Sequence, residues 1–197
     1  MPHVRVSTRA DIDAIVATLT TAFLDDPLWG PAFPDRDRRA AQAAALWRLC
    51  ATSAQRYDWV WVTDAVESAA IWIPTGGTEL TEAEAAGLDD FLVDVCGRST
   101  ADGIQAILDQ LEEHHPAEPH YYLSLLGTHT DHRGSGLGMG LLRQNLDRID
   151  AVGMPAYLES SNPANNGRYA SAGFAPRDEI VTASGHVVTT MWRPAAA

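Results

Sequence analysis

The chain has 197 residues, 46% of them apolar, and a formal net charge of −12. This length and composition exclude a disordered chain and predict one domain over residues 1–197 with a proper core. No apolar run approaches the ~20 residues of a membrane span, the N-terminus lacks the apolar core of a signal peptide, and the acidic balance is unsuited to nucleic acid. We therefore expect a cytoplasmic protein that binds neither membrane nor nucleic acid and whose partner is a cationic small molecule.

The first half of the chain alternates strand and helix patterns. A short strand at 4–6 precedes a helix that ends near Phe23, because apolar residues recur there at helical spacing. Thr81 and Glu84 form a capping box that predicts a helix start. The remaining patterns predict a helix over 36–55, antiparallel strands over 59–64 and 68–74, and helices over 81–95 and 101–113.

Segment 28–34 places Trp29 and Phe33 between prolines and a glycine. It is too broken for regular structure and too aromatic for a plain solvent loop. Two interpretations stay open: an aromatic plug over the core, or the lining of a substrate pocket.

Three histidines, His114, His115 and His120, cluster around two prolines. Their spacing matches no zinc pattern and the prolines interrupt the backbone, so we interpret them as a helix end and a linker and predict no metal site. Cys50 and Cys96 lie in helical segments, which favours buried free thiols over a disulfide or a catalytic thiol.

The stretch from 122 to 146 carries the strongest functional pattern. An apolar strand ends at Gly127, and glycines at 134, 136, 138 and 140 surround the start of a helix. Glycines leave backbone N–H groups unshielded, and a helix N-terminus adds unpaired N–H groups and the positive end of its dipole, which together make a phosphate cradle. A glycine turn that only caps the helix is the alternative.

Two familiar phosphate loops are excluded. The chain contains no lysine, which a P-loop requires, and Met139 and Leu141 stand where the dinucleotide fingerprint needs its third glycine.

The rest of the chain continues a strand–helix–strand unit. A strand over 154–161 should lie parallel to the strand that ends at Gly127, joined by a right-handed crossover. A short helix over 162–172 and two strands over 179–183 and 187–192 follow.

Two motifs carry a resemblance to a known family. Arg133-x-x-Gly136-x-Gly138 fits the [Q/R]-x-x-G-x-[G/A] pyrophosphate loop of the GNAT N-acyltransferase superfamily, and Tyr169 stands five residues before Phe174 of a Gly-Phe pair, as in that family. Over nearly the whole chain the pattern resembles the puromycin N-acetyltransferase group and its actinobacterial relatives. It departs from them at Gly167-Arg168, and 28–34 and 81–113 differ freely.

The resemblance implies an α/β (α+β) protein with a single GNAT fold. Its central sheet of about seven strands would be mixed, mostly antiparallel, splayed at strands 4 and 5, and flanked by helices. It also implies that acetyl-CoA is the co-substrate and that its acetyl group is transferred to an amine. Residues implied at the coenzyme are Leu126, Gly127, Thr128, Arg133, Gly134, Ser135, Gly136, Leu137, Gly138 and Asn165.

Two residues are candidates for the chemistry. Tyr169, whose ordinary pKa near 10 keeps it protonated, would be the acid toward the coenzyme sulfur; a packed aromatic is the alternative. Glu159 lies on an otherwise apolar strand and would be the general base, unless it is an edge glutamate that faces solvent. His129 is a weaker base candidate. Asp26, Trp29 and Phe33 are predicted to contact the acceptor.

Three functions remain open at this stage. The first is acetylation of a primary amine on a small molecule, for example an aminonucleoside or another amine-bearing antibiotic, by direct attack in a ternary complex. The second is acetylation of a protein or peptide by the same fold, and the third is a non-catalytic acyl-CoA sensor. The acceptor, the acyl-chain length and a homodimer are left undecided.

Overall fold

The computed structural model describes residues 2–196. Within this range seven strands form one mixed sheet in the order β1-β2-β3-β4-β5-β7-β6. Neighbouring strands are antiparallel except for β4 and β5, which are parallel as predicted. The strands are β1 (Val4–Val6), β2 (Val60–Thr63), β3 (Ser68–Ile73), β4 (Tyr121–Thr128), β5 (Ala156–Ser160), β6 (Ala175–Val181) and β7 (Val187–Arg193).

The helices are α1 (Ile12–Phe23), α2 (Trp29–Ala32), α3 (Arg39–Ala54), α4 (Glu82–Ala86), α5 (Leu88–Cys96), α6 (Arg98–Glu113), α7 (Leu137–Ala151) and α8 (Asn166–Ala170). The predicted capping box is present, since the Thr81 hydroxyl accepts from the Glu84 N–H. Two expectations are corrected. The helix predicted over 81–95 is divided at Gly87, and segment 28–34 contains the short regular helix α2.

Each face of the sheet buries its own core, because strand side chains alternate between faces. On one face α1, α3, α5 and α6 cover residues such as Ile71, Tyr122 and Tyr157. On the other face α7 and Phe174 cover residues such as Trp72 and Leu158. The buried indole N–H of Trp72 donates to the Asn145 side chain at 3.0 Å, which ties α7 to β3.

The sheet opens between its two parallel strands. β4 and β5 pair only from Tyr121 to Leu123 and from Ala156 to Leu158. Beyond these residues the strands diverge, so the second half of β4 and the end of β5 face a gap. This is the predicted splay at strands 4 and 5.

The irregularity in β4 lies at Ser124, three residues before Gly127. Ile71 pairs with Leu125 and Trp72 with Leu123, so Ser124 is the extra residue. Gly127 pairs regularly with Ala69. Glycine is needed there for packing, because a Cβ atom would lie 2.9 Å from side-chain atoms of Leu19 and Ala22 on α1. Within the described range, no helix is long and apolar enough to cross a membrane.

Candidate active site

A cavity of about 1060 Å³ occupies the gap between β4 and β5. Its volume is at the upper end of the range for small-molecule and cofactor sites. One end is built by the second half of β4, the glycine loop and the start of α7. The other end is built by α2, the segment before α4, and α6. Glu159 and Tyr169 both line the cavity.

The glycine loop has the backbone that an anion cradle needs. Gly134 and Gly136 have φ values of +80° and +79°, which favour glycine, and a Cβ atom on either would meet no protein atom within 4 Å. Gly136 is the N-cap of α7, so the free N–H groups of a 15-residue helix begin at the cavity. Gly138 serves packing instead, since its Cβ atom would lie 2.6 Å from the Thr128 hydroxyl oxygen.

Most residues implied at the coenzyme line this end of the cavity. They are Leu126, Gly127, Thr128, Arg133, Gly134, Gly136, Leu137, Gly138 and Asn165. Ser135 does not line it, and its hydroxyl donates to the His132 carbonyl oxygen. The Arg133 guanidinium donates to the Ala22 carbonyl oxygen at 2.7 Å, so it also holds the end of α1. The loop therefore fits a pyrophosphate through backbone amides.

Tyr169 projects from α8 toward the cavity and its ring packs edge-on to Phe174, with centroids 6.2 Å apart. Burial, and to a smaller extent the charge of Asp26, raise the pKa of the Tyr169 hydroxyl to about 12. The hydroxyl therefore keeps its proton at neutral pH, as a general acid must.

Glu159 lies on β5, on the same face of the sheet as Tyr157, which precedes it by two residues. Only 5% of its side chain is exposed, so it is not an edge glutamate that faces solvent. Its Oε1 atom has no hydrogen-bond partner within the described chain. Burial raises the pKa of the Glu159 carboxyl to about 8, and the hydroxyls of Tyr122 and Tyr157 oppose the rise. A buried carboxyl with a free oxygen and a pKa near neutrality can take up and release a proton during turnover.

The histidines lie in the segment that connects α6 to β4, and two of them pack beside β5. His115 Nδ1 lies 3.9 Å from Glu159 Oε1, and His115 Nε2 lies 3.0 Å from His120 Nε2. The sequence interpretation missed this contact, because nothing local to 114–120 shows that the segment packs against β5. In residues 2–196 no group of three His, Cys, Asp or Glu side chains is arranged to hold a metal ion.

No protein-family model matches the chain. Its structure is similar to that of histone acetyltransferase HPA2 and related acetyltransferase from Corynebacterium glutamicum, with a TM-score of 0.74, 27% identity, and coverage of 100% of this chain and 97% of that chain. Arylalkylamine N-acetyltransferase 2 from Aedes aegypti gives a TM-score of 0.64 at 12% identity, covering 98% of this chain and 99% of that one. A proposed GNAT-family acetyltransferase from Desulfovibrio desulfuricans gives 0.57 at 14%, with 100% of both chains covered.

The chain has the GNAT fold. The three similar solved structures named above are acetyltransferases, and the cavity of this chain lies where its two parallel strands separate.

The three residues that were predicted to contact the acceptor lie in different environments. Trp29 lines the cavity, although it is only 8% exposed. Asp26 also lines it, but Oδ1 accepts from the Leu28 and Trp29 N–H groups and Oδ2 accepts from the Ser161 hydroxyl. The Asp26 carboxylate is thus committed to capping α2 and holding Ser161.

Phe33 does not lie where the prediction of an acceptor contact requires. Its side chain is 1% exposed, belongs to the core under α1 and α3, and does not line the cavity. The plug interpretation of segment 28–34 therefore holds for Phe33.

The wall of the cavity is rich in carboxyl groups. Glu79 receives a hydrogen bond from the Ser124 hydroxyl at the bulge, and burial raises the pKa of the Glu79 carboxyl. The two arginines among the lining residues are Arg133 in the glycine loop and Arg168 on α8. The lining carboxyls are those of Asp25, Asp26, Glu79, Glu82, Asp109, Glu112 and Glu159.

Proposed function

We propose that the protein is an N-acetyltransferase that moves the acetyl group of acetyl-CoA to a primary amine of a small molecule, by direct attack in a ternary complex. The observation that carries the proposal is one cavity that joins three parts. These are a helix N-terminus with glycines open to it, a protonated tyrosine, and a buried carboxyl with a free oxygen.

The residues divide the chemistry between them. When bound, acetyl-CoA supplies an activated thioester. The amides of the loop 133–138 hold its pyrophosphate, and the free edge of β4 between Leu125 and Thr128 offers backbone groups to its pantetheine arm. Glu159 takes a proton from the acceptor ammonium, because only the neutral amine is nucleophilic. The Tyr169 hydroxyl gives a proton to the departing sulfur.

The acceptor class follows from the charge of the cavity wall. Carboxyls without arginine partners favour a cationic amine there. The motif similarity to the puromycin N-acetyltransferase group makes an aminonucleoside or another amine-bearing antibiotic the first class to examine.

The direct test is a panel of amines with acetyl-CoA, following release of free thiol. The panel would contain an aminonucleoside, an arylalkylamine, an aliphatic diamine and a short peptide with a free N-terminus. We expect turnover of at least one small amine. Turnover of the peptide alone would favour the protein-acetylating alternative, and coenzyme binding without turnover of any amine would favour a sensor.

Coenzyme binding can be tested separately by replacing Gly136 with leucine. The side chain would enter the space that the backbone leaves open, so CoA affinity should fall by about 10²-fold, or about 2.7 kcal/mol. The measurement is calorimetric titration with CoA.

The matched control is Gly153→Leu. Gly153 also has a positive φ, +67°, and open space around a Cβ atom, but it lies at the other end of α7 and outside the cavity. The control variant should bear the same backbone strain and keep full CoA affinity. Equal affinities in the two variants would contradict the assignment of the loop.

A further inference from the structure

Two carboxyl groups stand at the point where β4 and β5 separate. Leu123 and Leu158 form the last pair between these strands. The next residues are Ser124 on β4 and Glu159 on β5, one on each side of the gap. The Ser124 hydroxyl donates to the Glu79 carboxyl, which brings that carboxyl to the β4 side. Both Glu79 and Glu159 line the cavity.

The two carboxyls are close enough to influence the same groups. Burial, and after it the charges of Glu159 and Glu79, raise the pKa of the Tyr122 hydroxyl. Burial is the main cause of the raised pKa of Glu159, and the charge of Glu79 adds to it. Burial is also the main cause of the raised pKa of Glu79, and the charge of Glu112 on α6 adds to it. Three carboxyl groups thus share one part of the cavity wall.

No positive group in the described part of the chain compensates these charges. The chain contains no lysine. Arg56 donates to the backbone carbonyl oxygen of Glu79 and not to its carboxyl. His115 Nδ1 lies 3.9 Å from Glu159 Oε1, but burial lowers the pKa of His115 to about 4, so its ring is neutral. The carboxylates of residues 2–196 that pair with an arginine are those of Asp11, Asp13, Asp89, Asp102, Glu118 and Asp150.

Glu159 gives an independent sign that this part of the cavity is built for a ligand. Only 5% of its side chain is exposed and the residue lines the cavity, yet Oε1 has no hydrogen-bond partner within the described chain. A buried carboxyl oxygen without a partner is costly, because burial removes its hydration. A bound cation supplies the missing partner.

We propose that the acceptor carries two positive charges, as a diamine or a polyamine does, and that Glu79 determines this preference. The proposal rests on the proposed function, in which Glu159 takes a proton from the ammonium group that reacts. The second ammonium group stays charged, and the Glu79 carboxylate binds it with the help of Glu112. Glu79 thus determines specificity and takes no part in the chemistry.

The charge of the wall explains why two cations fit better than one. A single ammonium group neutralises one carboxylate, and the other carboxyl must then stay protonated or remain a buried charge without a partner. Two ammonium groups match two carboxylates on opposite sides of the gap. In the free protein the pKa values of Glu79 and Glu159 are raised because burial removes water and no cation replaces it.

The test compares diaminobutane with butylamine, which has the same carbon chain and one positive charge fewer. Diaminopropane and diaminopentane vary the spacing of the two charges, and aminobutanol replaces the second charge with a neutral polar group. The measurement is release of free thiol from acetyl-CoA. We expect kcat/KM of the best diamine to exceed that of butylamine and of aminobutanol by at least about 10-fold, mainly through KM.

Glu79→Gln should remove this preference. The ratio of kcat/KM for the diamine to kcat/KM for butylamine should fall by about 10–10²-fold, the usual contribution of a hydrogen bond to a charged group. Glutamine keeps the length of the side chain and can still accept from the Ser124 hydroxyl. The ratio cancels any effect of the substitution on Glu159, because both amines react through the same base.

The matched control is Glu113→Gln. Glu113 is the exposed neighbour of Glu112 on α6 and does not line the cavity. This variant removes the same charge from the protein and should keep the parent ratio.

The outcomes separate the preference from the function on which it rests. A Glu79→Gln enzyme with the parent ratio overturns the role of Glu79, and so does an equal fall of the ratio in Glu113→Gln. Turnover of another small amine without any preference for a diamine overturns the inference and leaves the acetyltransferase assignment intact. If no amine at all is acetylated, the proposed function fails, and the preference fails with it.

Discussion

Replacing Glu159 with glutamine should lower turnover by roughly 10²–10⁴-fold, the usual contribution of a positioned general base. Glutamine keeps the volume of the side chain and its place between β4 and β5, but it has no basic oxygen. Acetyl-CoA affinity should change little, because the glycine loop lies at the other end of the cavity. The measurement is steady-state kinetics on the best amine, with calorimetry for the coenzyme.

The pH profile adds a sharper readout. The carboxylate is the active form, so kcat/KM of the parent enzyme should rise with pH through a midpoint near the pKa of about 8 that burial gives Glu159. An ordinary glutamate would place this limb near 4.5. The limb should disappear in Glu159→Gln. A variant with the parent rate and profile would transfer the role of base to water or to the ionisation of the acceptor itself.

Stability provides the folding control for this variant. The folded pKa of Glu159 lies above its unfolded value, so between about pH 4.5 and 8 the folded protein binds more protons than the unfolded chain. The free energy of unfolding of the parent should therefore fall as pH rises through this window, by up to a few kcal/mol. Glu159→Gln lacks this loss and should be the more stable protein at pH 8.5 in urea denaturation.

Replacing Tyr169 with phenylalanine should lower kcat by about 10–10³-fold and leave coenzyme affinity nearly intact. The change removes one hydroxyl and keeps the ring against Phe174. The effect is smaller than that of losing the base, because a thiolate is already a fair leaving group. With an acyl donor whose thiol is more acidic, the loss of kcat in Tyr169→Phe should be smaller.

Tyr121→Phe is the matched control for Tyr169→Phe. The Tyr121 ring packs on Trp59, with centroids 4.5 Å apart, and does not line the cavity. This variant should keep the parent rate. If the Tyr169→Phe enzyme instead lost coenzyme affinity in proportion to its rate, the hydroxyl would be an anchor for the coenzyme and not an acid.

Much of the coenzyme end could be predicted from sequence because its signals are local. Gly134 and Gly136 directly precede a helix whose apolar residues recur at helical spacing. The strand before the two glycines belongs to the same continuous stretch of sequence. The parallel pairing of β4 and β5 follows from the strand–helix–strand order of this stretch, since a helical crossover is the usual connection between parallel strands.

The acceptor end could not be predicted as fully, because its residues are determined by contacts between distant parts of the chain. Phe33 looks like a pocket residue in sequence and is a core residue in space. The Asp26 carboxylate accepts a hydrogen bond from the Ser161 hydroxyl, which is 135 residues away along the chain. Gly127 is required by the approach of α1, and His115 lies near Glu159 only because its loop packs on β5.

The division of the cavity between two kinds of segment has a consequence for how such a protein can change over generations. The glycine-loop end is one compact strand–loop–helix unit, in which a side chain at Gly134 or Gly136 would enter space that the backbone leaves open. The acceptor end is assembled from α2, the segment before α4, and α6, whose exposed side chains contribute little to the core. On the proposed function, substitutions in these segments would alter which amine is accepted while the acetyl donor stays the same, so acceptor choice would diverge faster than chemistry.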